Sequence, residues 1–444
     1  MTSPTSALSA ALSTGLSGQI KVPGDKSISH RALIFGALAQ GVTRVSGLLE
    51  GDDVLHTGAQ LRALGVSIEK EGADYVIVGE AWAPPGRTLY AGNAGTGVRL
   101  LIGALAGQGI TATFDGDASL RGRPMGRVLD PLGKMGLSYS SRDGGLPVRV
   151  DAAPLKAITY RLPKPSAQVK SALLLAGLGA TGVMVVEEPI RCRDHTEKML
   201  VAFGVKLDIK PLGNGGRTIR MAGGQTLTAT DIIVPGDPSS AAFPIVAALI
   251  CQGSDVTVEG VLLNPERAGL YDTLIEMGAK LSFANERTQG GERVADMRAQ
   301  YSPDLKGVAV PEARAASMID EYPILAVAAA CANGETFMPG LEELRVKESD
   351  RLAAVEAMLL ANGVSVSSGP DWLRVTGGKV GGKIKGGGLV ATHHDHRIAM
   401  SALVLGLVAE QPVSLDSGAM IATSFPNFLE LMTGLGAKLS AHTS

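Results

Sequence analysis

The sequence predicts an α/β protein of two domains, each made of three copies of one repeat, with helices buried inside and sheets outside. Three observations predict this fold. Six segments of the form hydrophobic-x-x-Gly recur along the 444 residues, and their final glycines are separated by 68 to 85 positions. The tetrapeptide Val-Pro-Gly-Asp occurs at 22–25 and again at 234–237, half a chain later. Six helix-length segments are apolar on nearly every side, which indicates burial.

Each repeat is expected to hold a buried helix, short strands, an amphipathic second helix and a terminal glycine. β-branched runs such as 75–79 and 183–187 predict the strands, and 350–360 is typical of the second helices. The buried helices are expected at 32–39, 98–107, 167–178, 240–250, 322–332 and 397–409. The terminal glycines, expected to be left-handed helix C-caps, are Gly65, Gly136, Gly204, Gly278, Gly363 and Gly436.

The repeated Val-Pro-Gly-Asp segment also predicts where the chain passes between the domains. The expected crossings lie near residues 20 and 235. The N-terminal domain is then 21–234, and the C-terminal domain is 235–444 together with 1–20. A cleft between two such halves is a natural ligand site, and a ligand that contacts both halves can close them.

Composition excludes several classes of protein. The net charge is −2 and aromatic residues make up 4% of the chain, which argues against a nucleic-acid binder. No apolar run reaches the ~18 residues of a membrane span. Three widely spaced cysteines favour reduced thiols and a cytoplasmic protein, which we expect to be a monomer. Residues 1–17 lack the features of a secretory or transit signal, and we expect a loose tail or a short docking arm.

The stretch 21–31, Lys-Val-Pro-Gly-Asp-Lys-Ser-Ile-Ser-His-Arg, predicts an anion site at the start of a helix. A Pro-Gly turn presents Lys26, and Ser27 is expected to open an apolar helix. Helix N-termini offer free N–H groups and a positive dipole end, and Arg31 shares a helix face with Ser27. The alternative is a solvated turn with an ordinary N-capping serine. The Walker pattern is absent, because Asp25 stands where a glycine is required before the lysine.

Similar residues stand at the entries of other buried helices. Each motif alone is more often an N-cap than a binding site, but their recurrence at equivalent positions favours a site. These entries are the glycine-rich segment 92–97, Ser166-Ala167-Gln168, Asp320-Glu321 and Asp395-His396-Arg397.

Further cations lie in loops. Lys347 and Arg351 are four residues apart and are expected on one helical face, with Glu348 beside them. The functional interpretation is an anion clamp with a carboxylate that moves protons, and the alternative is a surface helix with salt bridges. The other loop cations are Arg121, Arg123, Arg191 and Arg193.

Metal and covalent catalysis are not expected. The run His393, His394, Asp395 and His396 is the best metal candidate, but neighbouring residues point in different directions and no further Cys or His completes the set. No G-x-S-x-G elbow is present, and no cysteine lies in an evident nucleophile setting. We expect neither a metal nor an organic cofactor.

Nine motifs occur in an order that resembles the 5-enolpyruvylshikimate-3-phosphate synthase family, from about residue 18 to the C-terminus. They are PGDKSISHRA, GNAGTGVR, RPMGR, SAQVKSALLLAGL, RDHTEKML, MIDEYP, RVKESDR, DHRIAM and TSFP. The match is closest to the subclass with IDEYP and IATSFP. The resemblance implies transfer of the carboxyvinyl group of phosphoenolpyruvate to the 5-hydroxyl of shikimate 3-phosphate, with release of phosphate, in chorismate and aromatic amino acid biosynthesis. It also implies an inverse α/β barrel-like fold of six βαβαββ units that closes on its substrates without metal or cofactor.

The resemblance assigns roles residue by residue. Catalysis falls to Lys26, Asp320 and Glu348, in proton transfer to and from the substrates. Shikimate 3-phosphate is expected to contact Lys26, Ser27, Arg31, Ser166, Ala167, Gln168, Arg193, Asp320 and Lys347. Phosphoenolpyruvate is expected to contact Lys26, Gly95, Arg123, Gln168, Arg351 and Arg397. Addition is expected to give a tetrahedral intermediate, and elimination of phosphate then gives the enol ether.

Three positions depart from common family members. Ala167 replaces a serine, Thr423 stands where many members have lysine, and Arg193 occupies a place often held by tyrosine. Gly95 bears on the inhibitor glyphosate, which resembles phosphoenolpyruvate but is longer. An alanine here crowds glyphosate in this family, so Gly95 leans weakly toward sensitivity.

Two other functions stay open at this point. One is UDP-N-acetylglucosamine enolpyruvyl transferase, whose members usually carry a reactive cysteine in the loop that here spans 114–124. That loop contains no cysteine. The other is a non-catalytic protein that binds phosphorylated metabolites, which the retention of Lys26, Asp320 and Glu348 counts against.

Overall fold

The computed structural model of the chain describes residues 7–213, 215–378 and 384–442. The chain forms two compact units. Unit 1 comprises residues up to Pro23, Pro235–Arg287 and Arg293 onward. Unit 2 comprises Gly24–Val234 and Thr288–Glu292.

Helices in the described residues follow the predicted repeat. They are α1 (Lys26–Leu38), α2 (Asp52–Ala63), α3 (Gly95–Gln108), α4 (Ala118–Arg121), α5 (Gly126–Lys134), α6 (Ala167–Leu178), α7 (His195–Ala202), α8 (Pro238–Ile250), α9 (Gly269–Glu276), α10 (Ala315–Met318), α11 (Tyr322–Cys331), α12 (Arg351–Ala361), α13 (His396–Gly406) and α14 (Phe428–Gly434). Short 3₁₀ turns occur at Glu312–Arg314, Glu342–Val346 and Ala419–Thr423. None of the helices in these ranges combines the length and the apolar character that a bilayer crossing requires.

Strands surround the helices in small sheets. They are β1 (Ala7–Ala11), β2 (Ser17–Ile20), β3 (Gly41–Ser46), β4 (Ser67–Glu71), β5 (Asp74–Gly79), β6 (Leu89–Tyr90), β7 (Ala112–Asp115), β8 (Ser138–Arg142), β9 (Gly145–Asp151), β10 (Thr159–Arg161), β11 (Val183–Glu188), β12 (Leu207–Leu212), β13 (Gly216–Ala222), β14 (Ile232–Ile233), β15 (Asp255–Leu262), β16 (Lys280–Gln289), β17 (Glu292–Gln300), β18 (Gly334–Pro339), β19 (Ser365–Ser368), β20 (Trp372–Gly377), β21 (Ile384–Gly386), β22 (Leu389–Val390), β23 (Ala409–Gln411), β24 (Val413–Leu415) and β25 (Lys438–His442).

Each repeat has one main sheet with the same order of strand types, and β21 and β23 form a further two-stranded parallel sheet. A parallel edge strand is followed by three antiparallel strands in β14-β3-β5-β4, β6-β7-β9-β8, β10-β11-β13-β12, β2-β15-β17-β16 and β22-β24-β1-β25. The fifth repeat has β18-β20-β19, with isolated parallel bridges at Lys306 and Ala309 in the edge position. This recurrence confirms the six-repeat α/β prediction.

The first helix of every repeat is buried along nearly its whole length, as predicted. These helices are α1, α3 and α6 in unit 2 and α8, α11 and α13 in unit 1. The terminal glycines of the six repeats all have φ between +79° and +108°. Only glycine adopts this conformation without steric cost, so each second helix ends where the sequence placed its cap.

Residues 7–11 correct the expectation of a loose tail or docking arm. They form β1, which is paired on one side with β24 and on the other with β25. Ser17–Ile20 likewise forms the parallel edge strand of the fourth repeat. The ordered N-terminal segment therefore belongs to the sheets of unit 1, and residues 1–6 lie outside the described part of the chain.

The units differ from the predicted domains at two short segments. Residues 21–23 belong to unit 1, because Pro23 accepts a hydrogen bond from the backbone N–H of Asp237 (2.9 Å) in that unit. Thr288–Glu292, the tip of the β16–β17 hairpin, belongs to unit 2. There the Glu292 carboxylate contacts the imidazole of His195 (2.7 Å).

Candidate active site

Arg31 is the most buried cation at the entry of α1 in unit 2. Its Nε donates to the hydroxyl of Thr196 (2.7 Å), Nη2 to the hydroxyl of Ser171 (2.8 Å) and Nη1 to the carbonyl of Ser27 (2.8 Å). Burial lowers the pKa of Arg31 to about 10. These hydrogen bonds go to neutral acceptors, so a bound anion nearby would stabilise the buried charge.

Lys26 is the first residue of α1 and forms an ion pair with Asp53 on α2. Asp25 caps the helix, since its carboxylate accepts a hydrogen bond from the backbone N–H of Ile28 (2.7 Å). Ser27 does not open the helix as expected, because the helix begins one residue earlier, at Lys26, with Asp25 as its cap. An aspartate is an equally good N-cap, and here it occupies one of the N–H groups that an anion could use.

The glycine-rich entry of α3 is joined to the entry of α6 through side chains. The amide of Gln168 donates to the hydroxyl of Thr96 (2.9 Å). Arg99 donates from Nη1 to the Gln168 amide oxygen (3.1 Å) and to the carbonyl of Gly95 (3.1 Å). The predicted residues Gly95 and Gln168 therefore belong to one group in unit 2.

Two guanidinium groups face the position of the missing Gly95 side chain. A Cβ there would lie 3.0 Å from Nη1 of Arg99 and 3.2 Å from Nη1 of Arg123. Arg123 is oriented by hydrogen bonds to Asn93 and to Ser119 (3.2 Å). The space above Gly95 is thus lined by positive charge, as an anion cradle requires.

Ser166 and Arg193 complete the predicted set in unit 2. The Ser166 hydroxyl accepts from the backbone N–H of Val169 (3.4 Å) and caps α6, which leaves its proton to donate to another ligand. Ala167 is the first residue of that helix. Arg193 lies half-buried before α7, and its charge contributes, after burial, to the lowered pKa of Arg31.

Arg351 lies at the centre of the predicted set in unit 1. Its side chain is 1% exposed, and it forms ion pairs with Asp395 (2.7 Å), Asp320 (3.1 Å) and Glu348. Burial opposes charge on Arg351, but the three carboxylates raise its pKa above the ordinary value. Burial also works against the Asp395 carboxylate, yet Arg351 holds its pKa below the ordinary value. One buried guanidinium therefore fixes two of the predicted proton-transfer groups, Asp320 and Glu348.

Two further predicted cations approach Asp320. The Lys347 ammonium lies 3.6 Å from its carboxylate, and Arg397 donates to its backbone carbonyl (3.1 Å). Arg397 also lies 3.3 Å from the carboxylate of Glu321. The five predicted residues of unit 1 thus form a single cluster.

The predicted helical face through Lys347 and Arg351 is wrong. Helix α12 begins at Arg351, with Asp350 as its cap, because the Asp350 carboxylate accepts from the backbone N–H of Ala353 (3.1 Å). Lys347 follows a 3₁₀ turn and has extended backbone angles (φ −83°, ψ −147°). Lys347 and Glu348 reach Asp320 and Arg351 from a loop, so the alternative of a surface helix with salt bridges does not apply.

The segment His393-His394-Asp395-His396 does not form a metal site among the residues that the structure describes. His393 and His394 are exposed, and both have positive φ. The group found with metal-ligating spacing in these ranges is instead Asp194, His195 and Glu292. The ammonium of Lys198 lies 3.1 Å from Asp194 and 2.7 Å from Glu292, so this group already holds a cation.

Several contributors were not assigned from the sequence. Asp395 was considered only as a helix entry and a metal candidate, and its pairing with Arg351 spans 44 residues. Arg99 carries a local signal, because it follows Gly95 by four residues on α3. Asn93 and Thr96 lie within the predicted segment 92–97 but were given no role of their own. The remaining ones, recognisable only in three dimensions, are Asp53, Ser171 and Thr196.

The family model described as EPSP synthase (3-phosphoshikimate 1-carboxyvinyltransferase) matches residues 11–432. A 3-phosphoshikimate 1-carboxyvinyltransferase of Phenylobacterium zucineum is 58% identical over 433 residues, covering 97% of this chain and 95% of that protein. The solved structure of an EPSP synthase from Acinetobacter baumannii is 44% identical with a TM-score of 0.88, covering 99% of this chain and 100% of that one.

The fold is shared beyond the close relatives. The enolpyruvyl transferase NikO from Streptomyces tendae is only 20% identical, yet its structure matches with a TM-score of 0.77 over the full length of both chains. That match shows a common six-repeat fold. The family match and the identity to its members are more specific: the chain belongs to the EPSP synthase (3-phosphoshikimate 1-carboxyvinyltransferase) family.

Proposed function

We propose that this chain transfers the carboxyvinyl group of phosphoenolpyruvate to the 5-hydroxyl of shikimate 3-phosphate and releases phosphate. The observation that carries the proposal is the Arg351 cluster, in which one buried guanidinium contacts the carboxylates of Asp320 and Glu348. The identity to named 3-phosphoshikimate 1-carboxyvinyltransferases supplies the reaction. The product enters chorismate and aromatic amino acid biosynthesis.

Shikimate 3-phosphate is proposed to bind the residues of unit 2 that surround Arg31. Arg31 brings a charge that is hydrogen-bonded to hydroxyl and carbonyl groups, and Ser166 brings a hydroxyl proton at a helix entry. A charged hydrogen bond is worth about 1.5–3 kcal/mol, so such groups dominate affinity for a phosphate. The other proposed contacts are Lys26, Ser27, Ala167, Gln168, Arg193, Asp320 and Lys347.

Phosphoenolpyruvate is proposed to bind the cations at the other helix entries. Arg123 stands beside Gly95 in unit 2, and Arg351 and Arg397 stand beside Asp320 in unit 1. Guanidinium groups match carboxylate and phosphate oxygens in paired hydrogen bonds. Lys26 and Gln168 complete the proposed set. That residues of both units act on one ligand is part of the proposal.

The proposed mechanism is addition followed by elimination. In the addition, the 5-oxygen forms a bond to C2 of phosphoenolpyruvate, Asp320 takes the hydroxyl proton, and Glu348 delivers a proton to C3. In the elimination, the bond from C2 to the phosphate oxygen breaks and Glu348 removes a proton from C3. Lys26 assists proton transfer. The cationic character at C2 is tolerable because held phosphate and carboxylate charges surround it.

Release of phosphate that requires both substrates is the decisive experiment. The chain is incubated with phosphoenolpyruvate alone, with shikimate 3-phosphate alone, and with both. Phosphate is expected only with both. Release with UDP-N-acetylglucosamine in place of shikimate 3-phosphate would indicate the related transferase, and binding without release would indicate a non-catalytic protein.

The cysteines count against the UDP-N-acetylglucosamine alternative. Cys192, Cys251 and Cys331 are free and buried in the described residues. Burial raises the pKa of each thiol, which disfavours the reactive thiolate. None of the three lies in the 114–124 loop.

Glyphosate sensitivity is part of the proposal. Gly95 leaves space between the guanidinium groups of Arg99 and Arg123, which a longer analogue of phosphoenolpyruvate could use. Of the departures from the family pattern, Thr423 replaces a cation by a hydroxyl that donates to the carbonyl of Met420 (2.7 Å). The loss of that cation would weaken the binding of phosphoenolpyruvate and the binding of glyphosate together.

We also propose a monomer that works in the cytoplasm on two small-molecule substrates. The free, buried cysteines are in keeping with a reducing compartment. Sedimentation of the purified chain near 45.7 kDa would support the monomer, and twice that mass would contradict it.

A further inference from the structure

A group of charges is buried on α6, α7 and the neighbouring strands of unit 2, and none of its members is among the residues assigned to the substrates above. The Lys170 ammonium lies 2.8 Å from the carboxylate of Glu188 and 2.7 Å from that of Glu197. Arg217 contacts both carboxylates, at 3.3 Å for Glu197. Lys170, Glu188, Glu197 and Arg217 are here called the Lys170 cluster. Its two cations match its two carboxylates, and all four side chains are buried.

The Lys170 cluster holds the loop that precedes α7 by its backbone. The carbonyl of Cys192 accepts from Lys170 (3.1 Å) and from Arg217 (2.8 Å). The N–H of Cys192 donates to the Glu188 carboxylate (2.9 Å), and its thiol donates to the same oxygen (2.7 Å). Arg193 is the next residue. The cluster therefore fixes the backbone immediately before Arg193.

The cluster also lies next to the residues that orient Arg31. On α6, Lys170 precedes Ser171, and on α7, Glu197 follows Thr196. Ser171 and Thr196 bond to each other (2.7 Å), and both accept from the Arg31 guanidinium. The Lys170–Glu197 ion pair thus joins the same two helices one residue away from the two hydroxyl groups.

We propose that Lys170 is a positioning residue for the shikimate 3-phosphate half of the site. It ties α6, whose entry carries Ser166, to the loop of Arg193 and to the helix that orients Arg31. This inference rests on the proposed function, because it assumes that these residues bind the phosphorylated acceptor.

The positioning role of Lys170 depends on its charge and not only on its packing. Buried ion pairs are often replaceable by apolar groups without loss of stability, so stability alone gives little reason for one here. An ammonium group, unlike a methyl group, can hold a carbonyl and two carboxylates in fixed directions. Burial pulls the pKa of Lys170 down, but Glu197 and Glu188 hold it above the ordinary value, so the group stays charged at neutral pH.

The test uses a variant that keeps the buried charges balanced. Lys170→Met alone leaves two carboxylates with one cation and can prevent folding, so the decisive protein is Lys170→Met/Glu197→Gln. Its control is Val45→Ala, which removes two methyl groups from a fully buried position on β3 in the same unit. Thermal melting measures the stability of each variant, calorimetric titration gives the affinity for shikimate 3-phosphate, and steady-state kinetics give the KM for phosphoenolpyruvate at saturating acceptor.

The double variant is expected to bind shikimate 3-phosphate at least about ten-fold more weakly, the loss that one displaced charged hydrogen bond produces. The KM for phosphoenolpyruvate is expected to change less than about three-fold, which is well below the effect of losing one charged hydrogen bond. Val45→Ala is expected to lose stability while keeping its affinity. Unchanged acceptor affinity in the double variant, or an equal loss for both substrates, would overturn the proposal. A wrong proposed function would show earlier, as absent phosphate release by the unmodified chain.

Discussion

Removal of Arg351 should destabilise unit 1 strongly, in a way that depends on pH. Arg351→Met leaves Asp320, Glu348 and Asp395 facing each other without their shared cation. Breaking a buried ion pair by removing one partner costs about 3–5 kcal/mol. At a urea dependence of about 3 kcal/mol per M, the unfolding midpoint should fall by about 1–2 M.

The pH dependence distinguishes lost charge pairing from lost packing. In the unmodified chain Arg351 keeps the pKa of Asp395 low, so the ionised carboxylate stabilises the fold above its unfolded pKa of about 3.9. Its contribution to the free energy of unfolding therefore does not change between pH 8 and 5. Without the guanidinium, burial and then the Glu348 carboxylate raise the pKa of Asp395, and His396 opposes them less strongly. The variant should therefore regain stability as the pH falls from 8 to 5, by about 1.4 kcal/mol for each unit by which the raised pKa exceeds 5.

The two tryptophans allow unit 1 to be followed alone, since Trp82 lies in unit 2 and Trp372 in unit 1. In a Trp82→Phe background, urea unfolding is monitored by Trp372 fluorescence at pH 8, 7, 6 and 5. Arg298→Met is the control, because it breaks an exposed ion pair with Asp255, and exposed pairs contribute little to stability. A loss below about 1 kcal/mol for Arg351→Met, or one that does not change with pH, would refute the reasoning.

Three further predictions concern activity. Glu348→Gln should lower kcat by at least about 100-fold, because general acid–base groups contribute that much. The control Glu356→Gln on α12 should keep its kcat, and similar rates for the two variants would contradict the role of Glu348. Arg31→Met should weaken shikimate 3-phosphate about ten-fold or more in a calorimetric titration, compared with the exposed control Arg44→Met, and equal affinities would remove Arg31 from that site. Gly95→Ala should raise the half-inhibitory glyphosate concentration more than the KM for phosphoenolpyruvate, because its Cβ would lie 3.0 Å from a guanidinium nitrogen; parallel inhibition curves would exclude the steric argument.

The repeat was predictable because each copy carries its own local signals. Terminal glycines with positive φ, such as Gly65 and Gly363, are required by the local backbone at one helix end. They therefore recur at a fixed position in each repeat and can be recognised in the sequence. The start of α1 was less predictable, because Asp25 and Ser27 are both good caps and only the folded backbone distinguishes them. Lys347 was misplaced because four-residue spacing indicates a shared face only if the segment is helical.

The site was predictable as a set of residues and not as a set of contacts. Motifs identified Arg31 and Arg351, but their partners Thr196 and Asp395 lie 165 and 44 residues away in the chain. Such pairings are decided by the packing of whole repeats. No local pattern reports them in a single sequence.

Strand β1 has a consequence for how the protein is made. Residues 7–11 leave the ribosome long before both of their neighbours, β24 and β25, and Ala7 aligns with His442. The sixth sheet must therefore wait until β24 and β25 have been synthesised, whereas most of unit 2 is one uninterrupted segment that is free to fold during translation. If translation pauses late, most of unit 2 would already be folded while the sixth sheet still has an unpaired edge strand. We expect chaperones to bind that exposed edge.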